Sequence, residues 1–235
     1  MGKDKLKRFN QLEGLERVIQ PPFEEVYNCD YLLKGKWKQK VFGNDHPLVL
    51  ELGCGKGEYT VGLARLYPEK NFMGIDIKGA RIWKGAVTAN GEGLDNVAFL
   101  RTRIDFINSF FDRDEVDEIW VTFPDPQEKR RRQKKRLTGD VFLNYYRRFV
   151  KDGGFINLKT DNLALYTYTL ELAKFNKLKI DWHTDDLDSS DRDDETVSIQ
   201  TFYENIFRTE GVKIKYIRFQ LPSGKEIKEL PYESE

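Results

Sequence analysis

The chain becomes regular after His46-Pro47. Leu48 to Leu52 (LVLEL) is an apolar run that stops at a glycine cluster, Gly53-Cys54-Gly55-Lys56-Gly57. Tyr59, Leu63 and Leu66 then recur at i, i+4 and i+7, which predicts a helix ended by Pro68. Asn71 to Ile77 predicts a second strand, residues 79–90 a helix, and Val97 to Leu100 a third strand. Glu118 to Phe123 (EIWVTF) predicts a fourth strand, and residues 138–150 an amphipathic helix with Phe142, Tyr145, Tyr146 and Phe149 on one side. A fifth strand, Phe155 to Leu158, follows the predicted turn Asp152-Gly153-Gly154. Leu163 to Phe175 is helical, and Lys177 to His183 and Lys213 to Leu221 are two late strands. Strands alternating with helices predict an α/β fold with a mostly parallel, seven-stranded sheet and helices on both faces. The late pair predicts a terminal antiparallel strand. Such sheets bind ligands beyond the carboxyl ends of their strands.

Residues 1–46 read differently, as a charged, partly flexible N-terminal extension with Pro21-Pro22 and scattered aromatics (Phe23, Tyr27, Tyr31, Trp37). Residues 47–235 read as one domain. No apolar run approaches the roughly 20 residues of a membrane span. The basic start, Met1 to Arg8, leads into no apolar stretch, so neither a secretory signal nor a membrane partner is expected. Two cysteines (Cys29, Cys54) and two histidines (His46, His183) offer no metal-ligand spacing. A reduced, cytoplasmic, metal-free protein is expected, as a monomer or homodimer.

The balance of 39 basic and 39 acidic residues hides an asymmetry. Seven of the eight residues 129–136 (KRRRQKKR) are cationic, and without them the chain has 32 basic against 39 acidic residues. Concentrated positive charge marks an anionic partner. The opposite pole is DDLDSSDRDDE, Asp185 to Glu195, which reads as a solvated or disordered surface segment.

The glycine cluster admits several uses. A P-loop needs Gly-Lys-Ser/Thr, but Gly57 follows Lys56; a dinucleotide fingerprint needs G-x-G-x-x-G, whereas the spacing here is G-x-G-x-G. Glu51, on the strand just before Gly53 and Gly55, would repel a pyrophosphate and suit the cationic sulfonium of S-adenosylmethionine. Asp76 ends the second strand, where a carboxylate can accept both ribose hydroxyl protons. A tight structural turn with a solvated Asp76 is the alternative. The fourth strand delivers Asp125 to the same sheet edge, between Pro124 and Pro126, which fix φ on both sides. It is either a stiffly aimed site acid or a capping acid in a strand-to-helix turn. The following run reads as a helix whose like charges at i and i+4 repel one another, a cost that a bound polyanion would offset.

These motifs together resemble the bacterial tRNA (guanine-N7)-methyltransferases over residues 47 to 210. Phe123-Pro124-Asp125-Pro126 with Lys129, then Thr160-Asp161, then Thr201, Tyr203 and Glu204 match three family motifs in order. The resemblance implies a Rossmann-like class I methyltransferase fold and methyl transfer from S-adenosylmethionine to N7 of the variable-loop guanine, position 46 of tRNA. It implies that Glu51, Gly53, Gly55, Asp76, Arg103 and Asp125 surround the cofactor, with Asp125 at the reaction centre. Lys129, Arg130, Arg131, Asp161, Thr201, Tyr203 and Glu204 would meet the tRNA. Departures are Gln127 for the family's Trp, Arg132 for its frequent His, and Arg103 for its usual acid, with Asp105 a nearby substitute. The competing expectations are a methyltransferase with a different RNA, protein or small-molecule substrate, and a non-catalytic RNA-binding protein.

Overall fold

The structure, a computed structural model, describes residues 10–231, apart from the Arg130 side chain. Thirteen elements frame the site in chain order. They are β1 (Val18–Ile19), β2 (Leu48–Leu52), α1 (Glu58–Leu66), β3 (Asn71–Asp76), α2 (Gly79–Gly91), β4 (Val97–Arg101), β5 (Val116–Thr122), α3 (Asp140–Tyr146), β6 (Val150–Thr160), α4 (Leu163–Phe175), β7 (Ile180–Thr184), α5 (Glu195–Ser198) and α6 (Phe202–Thr209), before the closing strand β8 (Lys215–Leu221). The sheet order is β1-β4-β3-β2-β5-β6-β8-β7. Strands β1 to β6 pair in parallel, and β8 runs antiparallel between β6 and β7.

The sheet is covered on both faces, so its central strands are buried throughout rather than alternating. Leu48, Leu50 and Leu52 point into one core layer with Met73, Ile75 and Ile119. Val49 points into the other with Phe72 and Trp120, beneath Tyr59 and Leu63 of α1. By this alternation Glu51 enters the second layer, under α1.

Three expectations need correction. The sheet has eight strands among the described residues, not seven, because Val18–Ile19 adds a short strand beside Phe99–Leu100. Residues 10–46 also supply buried Leu12, Val26, Trp37 and Phe42, and the Trp37 indole N–H donates to the Phe110 carbonyl at 2.6 Å. Asp152-Gly153-Gly154 is not a turn before a strand but a bulge within β6. Val150 pairs with Val116 and Phe155 with Glu118, and Gly153 takes φ 74° to accommodate the extra residues. The basic run is no long helix; it forms a six-residue 3-10 turn, Arg130–Lys135. Tight turns of this kind suit a run that would repel itself along a longer helix.

The acidic segment 185–195 is also more ordered than its composition suggests. Asp186 pairs with Lys213 at 2.9 Å, Asp188 with Arg208, and Asp194 caps α5 by accepting the Thr196 N–H at 3.0 Å. No helix of the described residues is long and apolar enough to cross a membrane.

Candidate active site

The strand order reverses between β2 and β5, and ligand clefts form beyond the carboxyl ends of strands at such a point. The glycine loop emerges there from β2. Gly53, Gly55 and Gly57 all hold positive φ. At Gly57 a Cβ would stand 2.6 Å from the Phe99 ring, so only glycine lets the loop settle on the sheet. The Gly55 N–H donates to Asp76 Oδ2 at 3.0 Å, and the Lys78 N–H to Oδ1 at 2.8 Å. These bonds fix Asp76 at the mouth of a hollow lined by Gly53, Ile77, Arg103, Ile104, Leu137 and Phe142. Arg103 and Asp105 both line it and pair with each other at 3.0 Å. The Arg103 cation is thus paired with the acid two residues on.

Gly53 also borders a second hollow, lined by Glu51, Cys54, Thr122, Phe123, Thr201 and Tyr203. Glu51 is buried, and both its oxygens are occupied. Oε2 accepts the Thr60 N–H at 2.8 Å and the Thr60 hydroxyl, and Oε1 accepts the Thr122 hydroxyl at 2.6 Å. Burial outweighs these bonds and pushes the carboxyl up to about 7. Glu51 can therefore be neutral or anionic near neutrality, according to what lies beside it.

Asp125 stands at the same sheet edge, after β5. It is exposed, its Oδ1 accepts the Gln127 N–H at 3.1 Å, and it lines neither hollow. Phe123 and Gln127, on either side, hold φ of 46° and 49°, so the motif is a sharply folded turn of left-handed backbone. Two contacts secure it. Arg136 Nε donates to the Pro126 carbonyl at 3.2 Å, and Asn162 Nδ2 donates to Glu128 Oε1 at 2.9 Å. The second contact ties the turn to the end of β6, where Asp161 sits half-buried beside Asn162. Asp125 and Asp161 thus belong to two loops bonded together.

Of the basic run, Lys129, Arg131, Arg132, Lys134 and Lys135 are exposed, whereas Arg136 is buried. The Arg130 side chain lies outside the described residues. Thr201 caps α6 by accepting the Glu204 N–H at 3.2 Å, and Tyr203 is half-exposed beside the Glu51 hollow. Glu204 points the other way. It is fully buried, 2.8 Å from Lys159 Nζ and 2.7 Å from Arg208 Nη2. Its carboxyl therefore orders the segment rather than facing an incoming substrate.

Comparison with known proteins decides the family. A family model described as "Putative methyltransferase" matches residues 45–217. The tRNA (guanine-N(7)-)-methyltransferase of Bacteroides thetaiotaomicron is 48% identical over all of this chain and 92% of its own length. The corresponding enzyme of Christiangramia forsetii is 53% identical over 93% of this chain and 98% of its own. The chain belongs to the tRNA (guanine-N7)-methyltransferase family. Among solved structures, the 16S rRNA methyltransferase KamB superposes with a TM-score of 0.61 at 14% identity, covering 88% of this chain and 99% of that one. That likeness establishes the class I methyltransferase fold.

A member of this family uses S-adenosylmethionine as methyl donor. The two hollows fit that molecule. The outer one offers Asp76 for a ribose diol and Ile77, Ile104 and Leu137 for a flat base. The inner one offers the buried Glu51 for positive charge.

Sequence reasoning missed Thr60, Thr122, Lys159 and Arg136. Lys159 carried a readable signal, because a lysine inside the buried strand FINLKT demands an acid. The threonines carried none.

Proposed function

We propose that this chain methylates N7 of the variable-loop guanine of tRNA, position 46. The observation behind this reading is the arrangement at one sheet edge. Two hollows share Gly53, the inner one reaches Phe123 at the start of the Asp125 turn, that turn is bonded to the Asp161 loop, and five exposed cations follow within eleven residues of Asp125. Relatives 37% to 53% identical, including that of Clostridium acetobutylicum, are named tRNA (guanine-N(7)-)-methyltransferase.

Bound S-adenosylmethionine supplies an electrophilic methyl group on a sulfonium. Guanine N7 presents a lone pair and no proton, so no side chain need act as base. The protein's work is alignment and charge placement. Asp76 and Gly53 would hold the nucleoside part of the donor, and Glu51, ionised beside a cation, would balance its positive charge. Asp125 and Asp161 meet the guanine, whose ring becomes cationic as it is methylated. Lys129 and Arg131 hold phosphates while the base is unstacked, a step costing a few kcal/mol. The chain works in the cytoplasm, where unmodified tRNA is found.

The test is chemical mapping. Unmodified tRNA treated with the purified chain and donor is reduced with borohydride and cleaved with aniline. A single break at the variable-loop guanine supports the assignment; methylation without that break contradicts it.

A further inference from the structure

Beside the inner hollow lies a surface built from Tyr203 of the third motif together with Phe202 and Lys56, to which the motifs assign nothing. Phe202, the first residue of α6, is 50% exposed, and Tyr203 is 45% exposed. Their rings meet edge to face at 5.6 Å. The Lys56 ammonium lies 3.8 Å from the Phe202 ring centroid and 5.9 Å from that of Tyr203. Among the described residues Lys56 has no acidic partner. The platform is held rigidly from below. Glu58 Oε2 accepts the Phe202 N–H at 2.9 Å, and its other oxygen pairs with Lys84 at 3.5 Å. A groove leads away from Lys56 over α1 and α2, with Lys84 and Arg65 on its rim and Gln200 and Ile199 on its far wall. Lys56 and Glu58 line both this groove and the Glu51 hollow, so the two adjoin.

We infer that Phe202 and Lys56 form a stacking site for the nucleotide flanking the target guanine. The inference rests on the reading that the substrate is tRNA. A strand whose guanine enters the hollow must leave it in both directions. The cationic turn follows β5, on one side of β2, and the groove follows α1 and α2, which cross to β3 and β4 on the other. Exposed aromatic faces beside an unpaired cation suit single-stranded nucleic acid. The ring takes a base of any sequence and the ammonium takes its phosphate.

The experiment places 2-aminopurine next to the variable-loop guanine of a tRNA and follows its fluorescence on binding. Wild type is expected to quench it by stacking; no quench overturns the inference without requiring any variant. Phe202→Ala is expected to abolish the quench and weaken tRNA binding about tenfold, as the loss of one stacked base implies. Phe202→Trp is expected to restore both. Lys56→Gln is expected to reduce the salt slope of binding by about one. Affinity for S-adenosylhomocysteine, unchanged in Phe202→Ala, reports that the fold is intact. Wild-type binding by Phe202→Ala, or no rescue by Trp, overturns the stacking site. If wild type neither binds nor methylates tRNA, the functional reading falls instead.

Discussion

Arg136, the last cation of the basic run, is buried and donates from Nε to the Pro126 carbonyl at 3.2 Å. Its guanidinium also lies over the Tyr168 ring, 4.3 Å from the centroid. It braces the turn that presents Asp125, whereas Lys129 and Arg131 face solvent. The same run should therefore give two phenotypes. Arg136→Met is expected to cost about 1–3 kcal/mol in stability, by denaturant melting, with the salt slope of tRNA binding unchanged. Lys129→Gln with Arg131→Gln should leave stability within about 0.5 kcal/mol and flatten that slope by about two.

Asp125→Ala should bind tRNA nearly as wild type does and lose most of its turnover. One opposed charge about 4 Å away at an effective dielectric near 20 is worth roughly 4 kcal/mol, an upper bound of about a thousandfold in rate. Single-turnover methylation of unmodified tRNA measures this, and a wild-type rate would remove Asp125 from the reaction centre.

Glu51 sets a pH dependence. Its carboxyl is raised by burial from 4.5 to about 7. A group raised in the folded state contributes stability below its unfolded value and loses it as pH climbs through the folded one. Glu51→Gln should therefore match wild type near pH 4.5 and exceed it by about 2–3 kcal/mol at pH 8. The same variant should bind the sulfonium donor less well, relative to its neutral thioether product. Calorimetry with both ligands, beside melts at both pH values, checks the pair of effects.

Lys159 and Glu204 form a fully buried ion pair that fixes α6 to β6, and Lys159 also donates to the Ile199 carbonyl at 3.0 Å. Burial lowers the Lys159 ammonium to about 8 and raises the Glu204 carboxyl. Arg208, Asp194 and the Tyr59 ring face the pair. Removing the ammonium leaves Glu204 with Arg208 and the Thr201 backbone N–H, and raises its carboxyl further. The penalty of the depressed ammonium is the same at pH 4.5 and pH 7, so by the same sign rule Lys159→Met should cost about 3 kcal/mol more near pH 7 than near pH 4.5. Urea melts across that range would show it, and a pH-independent loss would not fit.

Much of the fold was legible because its central strands are buried on both faces and so read as apolar runs broken by glycine. Asp76 and Glu51 were legible as acids at strand ends. The N-terminal strand was not, since Val18–Ile19 is too short to show any period. Nor could spacing tell which of the six described cations turns inward, because Arg136 is selected by Pro126 and Tyr168 in three dimensions. Glu204 matched a family motif, yet its burial follows from Lys159, far earlier in the chain.

The claim that matters most is that the nucleophile is N7 of one guanine. A tRNA carrying 7-deazaguanosine at variable-loop position 46 keeps the base's shape and pairing edge but has carbon in place of that nitrogen. The account predicts that this tRNA binds normally and accepts no methyl group from labelled donor. Incorporation at the rate of the unsubstituted tRNA would contradict it.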